Sequence, residues 1–213
     1  MKFTIKDPVS CISHLIGVIL AITGMVLLLS RADATVNPTH FASFFIFGFS
    51  MVLLYSSSAA YHGFNVSSHQ QQWLRRIDHI MIFVLIAGTY TPICLIPLYG
   101  IWGWSILGTI WTLALLGGLF KIFFLSAPRK LYTAIYLLMG WIIVIALYPL
   151  LKSISIEAFL WLLGGGIFYS TGALIYAIKK PNPWPNVFGF HEIFHVFIML
   201  GTACHFWMIY KFL

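Results

Sequence analysis

Five residues stand out in this chain for the chemistry they could do together: Ser58, His62, Asp78, His191 and His195. His191 and His195 are four residues apart, a spacing that puts both imidazoles on one face of a helix. With His62 they make three neutral nitrogen ligands, the donor set of a tetrahedral zinc ion that keeps its fourth position open for water. Zinc in such a site lowers the pKa of its water to about 7, which makes a nucleophile at neutral pH. Asp78 could take a proton from that water or orient it. Ser58, one turn before His62 on the same helix face, could donate to a developing oxyanion.

These residues converge only if the elements carrying them do. Of the 213 residues, 61% are hydrophobic and 8% charged, against roughly 25% charged in an average soluble domain. Mean hydropathy is +0.95. Too little polar surface remains to coat a water-soluble core, so the chain is expected to be an all-α integral membrane protein, with any chemistry inside its bundle. Apolar stretches fall at about 12–30, 41–62, 77–96, 101–120, 131–151, 158–178 and 187–210, predicting a single seven-helix transmembrane domain over residues 1–213. The third and fourth stretches are divided at Pro97-Leu98-Tyr99-Gly100, because one helix from Asp78 to Lys121 would run about 60 Å through a hydrocarbon core of about 30 Å. The first stretch exceeds the roughly 7 to 15 apolar residues of a signal peptide and is expected to remain as a helix.

Alternating the loops between two sides places Lys2, Lys6, Arg75, Arg76, Lys121, Arg129, Lys130, Lys179 and Lys180 on the side of the N-terminus. The other side receives Arg31, Lys152 and Lys211. The asymmetry predicts a cytoplasmic N-terminus and, with seven spans, an external C-terminus. This orientation rests on Lys and Arg alone, yet it brings His62, Asp78, His191 and His195 to one membrane depth, and ionisable groups at such positions are functional candidates. The basic residues come in ones and twos, so no nucleic-acid partner is expected. Membrane lipid is the expected partner. Cys11, Cys94 and Cys204 show no CxxC spacing and imply no disulfide framework.

The remaining polar residues read differently. His205, ten residues beyond His195, is a packing or hydrogen-bonding residue by its depth. His79 projects about 100° away from Asp78, and His40 and His69 fall in solvated loops. His14 also begins a span and could line the cavity. The string His191-Glu192-Ile193-Phe194-His195 is a literal HExxH, but the membrane setting and a third histidine far upstream argue against a soluble metalloprotease. Glu192 reads as a cap of the first helical turn, with a general-base role as the alternative.

Three segments carry a resemblance over nearly the whole chain. They are Ser58-Ala59-Ala60-Tyr61-His62, Asp78 followed by Gly88-Thr89-Tyr90-Thr91-Pro92, and His191-Glu192-Ile193-Phe194-His195. The sequence resembles the hemolysin III family, the bacterial branch of the progestin and adiponectin receptor superfamily, with alkaline ceramidases as more distant relatives. The resemblance implies seven helices in a bacterial plasma membrane, a cytoplasmic N-terminus, zinc on His62, His191 and His195, and Asp78 and Ser58 beside the water. That family often has asparagine four residues before the histidine of the first span, where this chain has Ser10 before His14. The function expected on this basis is zinc-dependent hydrolysis of a lipid amide or ester. A receptor or membrane-homeostasis regulator with structural zinc is the alternative, and a cytolytic channel the third.

Overall fold

A computed structural model describes residues 5–125, 127–185 and 187–213. Lys2, one of the basic residues used above for orientation, lies outside the described residues. Among those described, seven helices are long and apolar enough to cross a membrane: α1 (Pro8–Leu29), α2 (Pro38–Gly63), α3 (Ser68–Leu95), α4 (Ile101–Phe123), α5 (Arg129–Ser153), α6 (Ile156–Ile178) and α7 (Phe190–Phe212). The chain is a multi-pass membrane protein, and its seven helices are consistent with a seven-span bundle. The outer face of α1 exposes Ile12, Leu15, Ile16, Ile19 and Leu20, a surface that water would not tolerate and acyl chains would.

Each apolar stretch forms one helix, but the ends move for identifiable reasons. The third begins at Ser68 rather than near Ile77, because Ser67 and Gln70 form a reciprocal capping box that starts the helix in the polar segment before the apolar stretch. The seventh begins at Phe190 rather than near Val187, since Phe188 pairs with Trp184 in an isolated antiparallel bridge. The Pro97–Gly100 break is present, with Gly100 at φ 114° as the residue before α4, a backbone state that glycine reaches without strain.

The fifth helix is not continuous. Its middle, Ile142–Ala146, is a 3-10 helix. Pro149 has no N–H to give the carbonyl of Ile145, and its ring crowds that carbonyl, so the turn before it departs from α geometry. The Tyr90 hydroxyl, from α3, accepts from the Ile143 N–H at 3.0 Å and lies 2.9 and 2.8 Å from the carbonyl oxygens of Met139 and Gly140. One buried phenol thereby satisfies groups that the break exposes.

Glycines set some of the helix spacings. A Cβ at Gly165 of α6 would overlap the His205 ring of α7, and one at Gly117 of α4 would overlap the Phe83 ring of α3. Gly164, the residue before Gly165, faces open space. Two sets of contacts fix which ends meet. The Asp7 N–H at the head of α1 donates to the His62 carbonyl at the tail of α2 (2.9 Å). Arg31, just past α1, reaches the Tyr210 carbonyl near the end of α7. The head of α1, the tail of α2 and the head of α7 therefore share one end of the molecule.

Candidate metal centre and its cavity

That shared end holds the histidines. One ligand nitrogen from each of His62, His191 and His195 lies within 4.8 Å of the others, a buried group that could hold a metal ion. His62 comes from the last turn of α2, and the other two from the first turns of α7. Nε2 of His191 faces Nε2 of His62 at 3.1 Å, close to the edge of about 3.3 Å that two nitrogens make around tetrahedral zinc at 2.0–2.1 Å. Two of the three rings, His62 and His195, turn their other nitrogen to the protein. His62 Nδ1–H donates to Asp7 Oδ2 at 2.9 Å, and His195 Nδ1 lies 3.3 Å from Ser13 Oγ. Ligand histidines are commonly held in this way, with the outer nitrogen anchored and the inner one free for the metal. Three imidazoles suit zinc and also copper, iron or nickel.

Asp7 and Ser13 were not singled out by sequence. An aspartate just before Pro8 has the look of a helix cap, yet its side chain makes no cap bond and goes to His62 and to Lys6 Nζ (3.1 Å). Burial raises the Asp7 carboxyl, but its bonds to His62 and Lys6 outweigh that and hold it below the ordinary carboxylate value. Lys6 in turn lies over the Tyr61 ring at 4.3 Å.

A cavity of about 170 Å³ opens beside the histidines, its wall formed in part by Ser58, Asp78, His191 and His195. Most of the lining is apolar, with Leu54, Leu85, Ile86 and Ile198 among it. Ser58 and Asp78 are buried, and the Ser58 hydroxyl faces the Asp78 carboxyl. Asp78 is not one of the close metal-ligating group; it stands on the cavity wall, about three turns into α3.

The other polar residues fall as follows. His14 stacks on His195 with ring centroids 3.7 Å apart, lines the cavity, and has no hydrogen-bond partner at either ring nitrogen among the described residues. His79, expected to point away from Asp78, also reaches the cavity lining, because the cavity spreads between α3 and α5 as well as toward α7. His205 bonds the Leu162 carbonyl through Nε2 at 3.1 Å, the hydrogen-bonding role expected. Glu192 caps α7, accepting from the Gly189 N–H at 2.8 Å, while its other oxygen accepts from Ser10 Oγ at 2.7 Å. Ser10 thus ties α1 to α7 at the position where the resemblance would have asparagine.

Comparison with known proteins identifies a family. Residues 3–206 match the family described as Haemolysin-III related. The chain is 42% identical to the Hemolysin-3 homolog of Bacillus subtilis (strain 168), over 97% of this chain and 94% of that one. It is 36% identical to Hemolysin-3 of Bacillus cereus, over 98% and 92% respectively. More distantly, it is 24% identical to the adiponectin receptor protein of Drosophila melanogaster, over 91% of this chain and 48% of that protein. With a family match across nearly its whole length and a buried three-histidine group at one end of seven apolar helices, the chain belongs to the haemolysin-III family, which is related to the adiponectin receptors.

Proposed function

We propose that the three-histidine group holds zinc and that the protein is a zinc-dependent hydrolase of a lipid amide or ester in the cell membrane, with its N-terminus and histidine centre on the cytoplasmic side. The observation that carries this reading is the meeting of the histidines with an apolar cavity that also presents a carboxyl and a hydroxyl. A site built only to brace helices has no need of such a cavity.

When bound with an open position, zinc supplies a nucleophile at neutral pH and polarises a carbonyl. The protein's part is positioning and proton handling. Asp7 and Ser13 hold His62 and His195 in orientation from behind. The Asp78 carboxyl takes up the proton released as the nucleophile forms and returns it to the leaving amine or alcohol. Ser58 Oγ donates to the carbonyl oxygen as charge builds on it. The apolar wall holds the acyl chain and excludes bulk water, which strengthens each of these polar interactions.

The test is hydrolysis by purified protein across ceramides, other N-acyl lipids and esters, before and after chelation and with zinc restored. Turnover lost on chelation and regained with zinc supports the reading. Relatives named as receptors favour a second one, in which zinc is structural; stoichiometric zinc with no turnover on any lipid class supports that instead.

A further inference from the structure

The same cavity carries a second set of groups that hydrolysis does not use. Arg75 of α3, Lys121 of α4 and Arg129 of α5 all contribute to its lining. Lys121 is the informative one. It is 1% exposed, its ammonium lies over the Tyr132 ring at 3.4 Å from the centroid, and among the described residues no carboxylate forms an ion pair with it. Arg129 is likewise held by aromatic faces, Tyr176 at 4.3 Å and Phe190 at 5.2 Å, and Arg75 is exposed at the surface. Neither pairs with a carboxylate among the described residues.

Positive charge on the cytoplasmic side is ordinary in a membrane protein, but Lys130, Lys179 and Lys180 serve that purpose in the exposed positions expected of it. A buried lysine with no carboxylate in ion-pair contact is costly, and an aromatic face offsets only part of its lost hydration. An arrangement of this kind makes sense if an anion completes it. Asp78 is the carboxyl in the same cavity and balances one of the three cations. Two positive charges remain, matching a phosphate monoester of about −1.5 to −2 better than a single carboxylate. Arginine forks and a lysine point charge are also the usual ligands of phosphate oxygens.

We propose that Arg75, Lys121 and Arg129 form a phosphate subsite beside the histidine centre, occupied by the headgroup phosphate of a lipid whose acyl chain lies along the apolar wall. The inference rests on the reading of the cavity as a lipid site and narrows the substrate class to phosphate-bearing lipids.

Binding, not turnover, tests it. Oleoyl lysophosphatidate, monooleoylglycerol and inorganic phosphate are each titrated calorimetrically into the zinc-loaded full chain in a non-ionic detergent. Lysophosphatidate is expected to bind about tenfold or more tighter than monooleoylglycerol, and inorganic phosphate far more weakly than either. Lys121→Met should remove most of the preference by weakening lysophosphatidate binding. Arg129→Gln should reduce the preference and serves as the second variant if the first does not fold. Equal affinities for the two lipids, or a preference that survives both substitutions, overturn the subsite. Inorganic phosphate binding as tightly as lysophosphatidate overturns its assignment to a lipid. The outcomes separate from those for catalysis: a phosphate preference without hydrolysis of any lipid removes only the hydrolase, and hydrolysis without the preference removes only the subsite.

Discussion

Asp78 and Asp7 are both carboxyls near the same histidines, and their positions assign them different work. Asp78 lies on the cavity wall outside the ligand group, so Asp78→Asn should lower lipid hydrolysis by about a hundredfold or more, as loss of a general base does, while zinc content is kept. Activity and zinc measured on one preparation check this; parallel loss of both would make Asp78 a ligand. Asp7 instead accepts from the outer nitrogen of His62. Asp7→Ala should weaken zinc about 10- to 100-fold, measured by competition with a chelator, and Asp7→Asn should weaken it less because the amide oxygen can still accept. The three histidines were legible in the sequence because helical spacing and charge asymmetry each place residues at a depth. Asp7 was not, since an aspartate before a helix-starting proline looks the same whether it caps the helix or reaches across to a neighbour. His14 was legible as a residue that could line the cavity, as it does; its stacking on His195 depends on how α1 is rotated, which residue types do not report.

At the scale of elements, the break between α3 and α4 and the break within α5 make separate predictions. Gly103 in the first turn of α4 backs onto the end of α3: a Cβ there would overlap the Cys94 carbonyl and stand 2.6 Å from the Leu98 carbonyl oxygen. Backbone cannot step aside as a side chain can, so Gly103→Ala should destabilise by about 1–3 kcal/mol, while Gly164→Ala, facing open space, should be neutral or mildly stabilising. Thermal unfolding of the two variants in the same detergent checks the contrast. Tyr90→Phe should cost a further 1 to 3 kcal/mol or so by leaving the groups around the α5 break unsatisfied. The first break was readable from Pro97 and Gly100, which are local signals. The second was not read. Pro149 lies only a few residues from the end of its apolar stretch, and hydropathy reports the length of such a stretch without its internal geometry. The early start of α3 was missed for the converse reason, because Ser67 and Gln70 extend a helix through residues whose polarity argues for a loop.

For the whole molecule, seven helices over apolar stretches follow from composition and length, because backbone in hydrocarbon must satisfy its own hydrogen bonds. Orientation follows from a different property, the asymmetry of Lys and Arg, and predicts that cysteine tags at the N- and C-termini label from opposite faces, the N-terminal tag from the cytoplasm. Labelling from one face would remove the odd number of spans. Three histidines from two helix ends share one metal site, and the metal content of purified protein reports on it. Wild-type protein is expected to carry about one zinc per chain, and His191→Ala combined with His195→Ala to carry almost none while still folding. Stoichiometric zinc in that double variant, or none in the wild type after purification without chelators, would mean that these histidines do not hold the metal.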